Sequence, residues 1–245
     1  MRVMTDVAIV MLAAMVPSVG WSADATLPAF DPAGFAVPMA NPYFPLKPGV
    51  VRHMRGTIQT DDGKVLPFER VRTVTGPGPV ILGVQTTTIR DEEFEDGHVT
   101  ESSLDYFATD AKGAAWYFGE DVIQYSYDDK GALIDTKAGS NWKAGTNGAL
   151  PGIMIRMEPV AGETLFRAHA PADNEMEFSR VTGANETLTV PAGTYQHLVR
   201  LYTESKTDAG LRDNTWWAKD IGLIRVEEDL SPAGDAPKVM AELVK

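Results

Sequence analysis

The chain contains no cysteine, and this absence excludes several classes of site at once. With no thiol in its 245 residues, a zinc knuckle, a cysteine nucleophile and a disulfide framework are impossible. Basic residues are also scarce, because 22 Lys and Arg stand against 34 Asp and Glu, which gives a formal net charge of −12. Without a Lys/Arg cluster, so acidic a chain is not expected to bind nucleic acid or an anionic membrane surface.

Long hydrophobic runs are missing as well. No stretch approaches the roughly 20 apolar residues that a spanning helix needs, so no membrane span is predicted. A short apolar run at residues 7–16 follows Arg2 and precedes the small-residue site Ala23-Asp24-Ala25. This arrangement is typical of an export signal cleaved before Thr26. We therefore expect residues 1–25 to be a signal peptide and the mature protein to be soluble, either periplasmic or secreted.

The common catalytic motifs are absent too. There is no G-x-S-x-G elbow, no P-loop and no G-x-G-x-x-G, so the hydrolase and nucleotide chemistries that use them are not predicted. The histidines are too scattered for an H-x-H or H-E-x-x-H pair; they are His53, His98, His169 and His197. The sequence predicts no cofactor.

What the sequence does contain is the punctuation of β-hairpins. Turn signals such as Asp61-Asp62-Gly63, Gly76-Pro77-Gly78 and Asp96-Gly97 separate runs rich in Val, Ile, Thr, Tyr and Phe, which suit a pleated, half-buried surface. A Gly/Asn loop is predicted from 139 to 152. Strands are predicted near residues 50–60, 65–75, 79–93, 98–109, 114–127, 131–136, 153–158, 163–170, 175–182, 186–190, 194–206, 213–219, 221–228 and 238–244.

The domain organisation follows from these patterns. Residues 26–48 are rich in proline and are expected to form an extended lead-in lying on the domain. Residues 49–245 are expected to form a single β domain. The predicted fold class is all-β, an antiparallel meander that forms a barrel, a half-barrel or a sandwich.

Several short blocks stand out within residues 41–228. They are N-P-Y-F-P-L-K-P-G at 41–49, W-Y-F-G-E at 116–120 and V-P-A-G-T-Y at 190–195. In these blocks the chain resembles a family of exported bacterial β-rich proteins without an assigned activity. The resemblance implies export and a β-rich fold, and it implies no particular reaction.

The middle hairpins hold most of the acidic charge and define a candidate site. If Asp96-Gly97 forms a two-residue turn, Arg90 lies opposite Ser103. If residues 110–113 form the next turn, Phe107 lies opposite Trp116. One face then collects an arginine, a serine, three carboxylates and three aromatic rings: Arg90, Glu101, Ser103, Asp105, Phe107, Trp116, Phe118 and Glu120.

Such a face is unusual for a dry core, because an unpaired buried charge is costly. We interpret it as a pocket for a small neutral or amphipathic ligand, since aromatic rings offer flat apolar contact and carboxylates accept hydroxyl hydrogen bonds. The simpler alternative is that the rings pack inside while Arg90 bridges Glu101 and Asp105 at a solvated rim.

Three functions remain open on this basis. The first hypothesis is binding of a small ligand or a partner without chemical turnover. In the second, Glu101, Asp105 or Glu120 supplies the acid and base of a hydrolase or isomerase. In the third, the carboxylates of residues 91–97 bind calcium in a structural envelope protein, although their spacing is not that of an EF-hand.

Overall fold

A computed structural model describes residues 26–232 and 236–245 of the protein, and the predicted signal peptide lies outside these ranges. Within them, no helix is long and apolar enough to cross a membrane. Short 3-10 turns occur at Pro32–Phe35 and Pro171–Asp173. The strands are β1 Val51–Gln59, β2 Val65–Ile81, β3 Val84–Glu95, β4 His98–Thr109, β5 Ala115–Tyr127, β6 Leu133–Lys143, β7 Leu150–Ile155, β8 Thr164–Ala170, β9 Glu175–Val190, β10 Gly193–Ser205, β11 Arg212–Ala218, β12 Gly222–Glu228 and β13 Val239–Leu243.

The strands form one antiparallel sheet that closes on itself. Its order is β4-β3-β2-β1-β13-β12-β11-β10-β9-β8-β7-β5, and β5 returns to pair with β4. The remaining strand, β6, is attached to β5. The all-β antiparallel prediction is confirmed, and of the three predicted forms the closed ring is barrel-like.

Three predicted breaks in the sheet are wrong, and one of them is the break predicted at residues 183–185, through which β9 runs continuously. β2 runs through Gly76-Pro77-Gly78 with register shifts on either side of this tripeptide, because bulges let a strand accommodate a proline that cannot donate a ladder hydrogen bond. The predicted loop at 139–152 is wrong over its first part, since β6 continues to Lys143.

A β-bulge decides how the β3–β4 hairpin faces the interior. The pairs beside the turn follow the prediction, but a register shift between Glu93 and Phe94 displaces the remaining pairs by one residue. Arg90 therefore pairs with Leu104 and not with Ser103. Because successive side chains point to opposite faces, this shift turns Arg90 away from the interior.

The β4–β5 hairpin also departs from its predicted register. Phe107 pairs with Tyr117 instead of Trp116, and after a further shift Asp105 pairs with Glu120. Tyr117 thus takes the inward position that the prediction gave to its neighbour.

The lead-in is fastened to the ring by one buried side chain. Asn41 is 3% exposed and makes hydrogen bonds in both directions. Its Nδ2 donates to the backbone carbonyls of Gly113 and Ile155, at 2.7 and 3.2 Å. Its Oδ1 accepts from the backbone N–H groups of Tyr43 and Phe44, at 2.8 and 3.0 Å. The Asn41 side chain therefore substitutes for a strand ladder in a segment without one.

The residues around Asn41 close one end of the ring. The aromatic side chain of Phe44 packs inside the closed sheet, with its centroid 4.7 Å from that of Phe107 and 5.3 Å from that of Trp217. The aromatic side chain of Phe35 covers the outer face of the sheet, with its centroid 5.7 Å from that of Trp116 and 5.6 Å from that of Phe118. Aromatic side chains therefore pack on both faces of the sheet at the end that the lead-in covers.

The ring wall has a seam where β5 changes partners. Residues 115–117 of β5 pair with β7, whereas residues 119–127 pair with β6. Over residues 26–232 and 236–245, no ladder joins β6 to β8 or β9. We call this boundary, with β6 on one side and β8–β9 on the other, the seam.

Candidate functional site

Ion pairs fill one side of the interior. The Nε and Nη2 of Arg70 donate to the two carboxylate oxygens of Asp91 at 3.0 and 2.9 Å. Its Nη1 donates to Glu228 and lies 3.4 Å from Glu93, and Arg72 Nε lies 2.8 Å from Asp91. Although burial alone would raise it, the pKa of Asp91 is held below its ordinary value by Arg70 and Arg72. We call these five residues the Arg70 cluster.

A second polar group faces the Arg70 cluster from β4 and β5. Asp105 and Glu120 are direct cross-strand neighbours. The Tyr117 hydroxyl donates to Glu120 at 2.8 Å, and the Tyr117 ring stacks on Phe107 with 4.8 Å between centroids. Ser103, one inward position along from Asp105, is also buried. Carboxyl groups and flat aromatic surface therefore lie side by side.

A third group lies at the seam. The Arg167 guanidinium is 5.9 Å from the centre of the Tyr117 ring, and its Nη1 is 3.1 Å from Glu177 Oε2. Trp142 meets Tyr117 edge-on with 5.2 Å between centroids. Trp142 is itself the β6 partner of Glu120. The seam group is thus continuous with the Asp105–Glu120 pair.

Burial is the main cause of the pKa shifts on the inward face. Burial, and then the Asp91 charge, raises the pKa of Asp105 to about 6. Burial and the neighbouring Asp105 raise the pKa of Glu120 well above its ordinary value. Burial also raises the pKa of Glu175 to about 7 and that of Asp213 to about 8. Part of the inward face is therefore protonated near neutral pH.

These shifts predict how stability depends on pH. A carboxyl whose pKa is raised by folding stabilises the protein below its unfolded pKa, and this contribution is lost as pH rises through the folded pKa. For Asp105, Glu175 and Asp213 the loss extends from about pH 4 to about pH 8. We expect the free energy of unfolding, measured in urea, to fall from pH 5 towards pH 8.5. Asp213→Asn should flatten this slope.

Asp129→Asn provides the matched control, because Asp129 is exposed at a turn. It should leave the pH dependence as it is. A wild-type slope that is flat or rises over the same interval would contradict the assignment of protonated carboxyls to the interior.

The structure brings together five of the eight predicted site residues. Four lie on β4 and one on β5, all on the inward face: Glu101, Ser103, Asp105, Phe107 and Glu120. The other three lie elsewhere. Arg90 is exposed outside the ring with its Nε 3.2 Å from Glu92, so it bridges neither Glu101 nor Asp105, and Trp116 and Phe118 pack beneath the lead-in. The bulge beside Phe94 moves Arg90, whereas a turn that spans residues 110–114, one residue longer than predicted, moves Trp116 and Phe118.

Several inward residues escaped the sequence reasoning. On one face of β2, Arg70 and Arg72 lie between the apolar residues Phe68 and Val74. This pattern indicates charged side chains on an inward face. Trp142 lies within the predicted loop at 139–152, and Arg167 reaches the site because β8 and β5 lie close together, which no local pattern indicates.

Two of the carboxylates that the calcium hypothesis invokes already form ion pairs. Asp91 and Glu93 contact Arg70. Among the residues that the structure describes, no group of three or more His, Asp or Glu side chains is arranged to hold a metal ion. Calcium binding by residues 91–97 stays a prediction, and an EDTA-sensitive melting temperature would support it.

A separate cleft of about 1080 Å³ lies between the lead-in and the covered end of the ring. Its wall is mostly apolar, and none of the predicted site residues lines it; it includes Phe35, Pro38, Leu46, Val84 and Met157. This cleft is a second place where a small molecule could bind, and the tests below separate it from the inward face.

Comparison with known proteins gives structural neighbours only. No family model and no curated protein matches the chain. A protein from Bacteroides fragilis, inferred to be exported and described as having a YmcC-like fold, is similar over 83% of this chain and 98% of its own, with 12% identity and a TM-score of 0.40. A protein from Parabacteroides distasonis inferred to be a lipoprotein is similar over 84% of this chain and 97% of its own, with 13% identity and a TM-score of 0.34. At these values neither likeness carries an argument about the ligand or the activity.

Proposed function

We propose that the protein is exported and binds a small neutral or amphipathic ligand on the inward face of its ring, without chemical turnover. The observation that carries the proposal is the Asp105–Glu120 pair beside the stacked rings of Phe107 and Tyr117. Carboxyl groups that are partly protonated offer both donors and acceptors, and the stacked rings offer apolar area. This combination suits a molecule that carries hydroxyl groups on an apolar frame.

Native mass spectrometry of the mature protein, purified gently from the periplasm, tests this proposal. We expect a discrete organic adduct on the wild-type protein and a smaller adduct fraction on Asp105→Asn. Arg90→Ala is the matched control and should retain the adduct, because Arg90 points away from the interior. An adduct that Asp105→Asn keeps in full would locate binding in the lead-in cleft and contradict the proposed site.

Acid–base catalysis is the second candidate, and the same pair of carboxyls favours it. Burial and the Asp91 charge raise the pKa of Asp105 to about 6, and burial and Asp105 raise the pKa of Glu120 well above its ordinary value. Two adjacent carboxyls of this kind share a proton, the arrangement that acid–base chemistry needs. If the protein is an enzyme of this kind, Asp105→Asn should abolish turnover of a screened substrate without unfolding the chain. Activity that survives this replacement would remove the second candidate.

A further inference from the structure

Among the residues that the structure describes, three buried polar atoms without hydrogen bonds lie on the strands that border the seam. They are the indole Nε1 of Trp142, the Nε of Arg167 and the Oε2 of Glu177, which has Arg167 as an ion-pair partner but accepts no hydrogen bond of good geometry. Trp142 is 3% exposed, so water in the bulk does not reach its N–H. Burying a donor without a partner is costly because its lost hydrogen bond to water is not replaced, and native proteins leave few such groups.

The strand pairing explains why these atoms have no partners within the ring. Trp142 lies on β6, and Arg167 and Glu177 lie on β8 and β9, which form no ladder with β6 in the described part of the chain. Across the seam, Trp142 and Arg167 both contact the Tyr117 ring, and the Ser140 hydroxyl of β6 lies beside the Glu175 carboxyl of β9. The Arg167 side chain is 25% exposed, so solvent reaches the seam at this residue.

The donors, the acceptor and the charges at the seam together favour a neutral ligand. Trp142 and Arg167 present donors, which a ligand must meet with acceptor oxygens, while Glu177 presents an acceptor. An anion would be placed against the Glu177 carboxylate, and a cation would be placed against the Arg167 guanidinium. A neutral molecule with several hydroxyl groups satisfies the donors and the acceptor without either penalty.

We infer that the seam is the entry and recognition point for a neutral, polyhydroxylated small molecule, with Trp142 and Arg167 donating to its oxygens and Glu177 accepting from one of its hydroxyls. This inference rests on the proposed function and deepens it, because it names the ligand class and adds residues on β6, β8 and β9 to the inward face.

Fluorine NMR of the mature protein labelled with 5-fluorotryptophan tests the inference. The probes are glucose, glucosamine and glucuronate, which share a frame but are neutral, cationic and anionic. We expect glucose to shift the Trp142 resonance and to bind about tenfold more tightly than either charged sugar, the effect of one hydrogen bond or charge mismatch. The resonance is assigned by its loss in Trp142→Phe.

The Trp216 resonance, assigned by its loss in Trp216→Phe, is the matched control. The Trp216 indole is also buried, but its Nε1 donates to Glu186 at 2.7 Å, outside the ring, so its resonance should not respond to glucose. Arg167→Lys keeps the charge and removes the Nε–H, and it should weaken glucose binding about tenfold. This variant also supplies the test if Trp142→Phe does not fold.

The outcomes separate this inference from the proposed function. Tighter binding of glucosamine or glucuronate would overturn the neutral class, and an unshifted Trp142 resonance with all three sugars would overturn the seam as the recognition point. In either case, an organic adduct that depends on Asp105 would leave the proposed function standing. Loss of that adduct would remove the proposed function itself.

Discussion

Replacing Arg70 with alanine is expected to lower the free energy of unfolding by about 3–5 kcal/mol, the cost of removing one partner from a buried ion pair. Arg70 contacts three carboxylates, those of Asp91, Glu93 and Glu228. Without the guanidinium, Asp91 would keep only Arg72, and the other two would lose the positive charge that offsets their burial. Urea unfolding at neutral pH measures the loss.

Although burial would raise it, the pKa of Asp91 is held below its ordinary value by Arg70 and Arg72, and this gives the prediction a second readout. In Arg70→Ala the Asp91 carboxyl should take up a proton more readily, so the deficit in the free energy of unfolding should shrink as pH falls towards 4. Arg90→Ala is the matched control. Its side chain is 47% exposed and pairs only with Glu92, so we expect a change of about 0–1 kcal/mol. Equal losses in the two variants would contradict the assignment of Arg70 to the interior.

The strands could be predicted from the sequence because their signals are local. β4 begins at His98 directly after Asp96-Gly97, and β10 begins just after the Pro191-Ala192 turn. Such turns set both ends of a strand, and β-branched and aromatic runs fill the span between them. The turn predicted at Gly76-Pro77-Gly78 is wrong because glycine and proline occur in bulges as well as in turns.

The facing of the side chains could not be predicted in the same way. One unpaired residue opposite Glu93 and Phe94 shifts every later pair of the hairpin by one residue, which reverses the faces on which the paired side chains meet. Nothing in the local sequence marks this residue. Gly119 was a usable signal, since a glycine inside a strand often marks a close approach. Its φ is +134°, and a Cβ there would lie 2.1 Å from the Trp142 carbonyl oxygen. The signal was present, but its partner strand was unknown.

The candidate site depends on contacts that are distant in sequence. Asp105 and Glu120 are close in the chain, and the sequence brought them into one site. Arg70 and Arg167 reach them only through the closure of the ring, which depends on strand order. Single-sequence reasoning therefore found the carboxylates and missed the guanidinium groups that determine their charge state.

The two ends of the interior differ in a way that bears on function. The lead-in seals the apolar end with Phe44, which packs on Phe107 and Trp217. The polar part of the interior lies beyond Phe107, around Asp105 and Glu120, and is bounded by the seam. A molecule that enters at the seam therefore meets polar groups first and the stacked rings next, the order that an amphipathic or hydroxylated ligand would need. The stability of this arrangement depends on how firmly the lead-in is held.

Asn41→Ala is expected to lower the free energy of unfolding by about 3 kcal/mol, because it leaves buried backbone groups unsatisfied. The replacement removes the donors to the carbonyls of Gly113 and Ile155 and the acceptor for the N–H groups of Tyr43 and Phe44. The lead-in should also become more sensitive to limited proteolysis than the strands, since Asn41 takes the place of a ladder there. Asn185→Ala, which removes an exposed hydrogen bond to His197, should change stability by less than about 0.5 kcal/mol. If Asn41→Ala changed the free energy of unfolding as little as this control, the packing of Phe44 would hold the lead-in without the hydrogen bonds of Asn41.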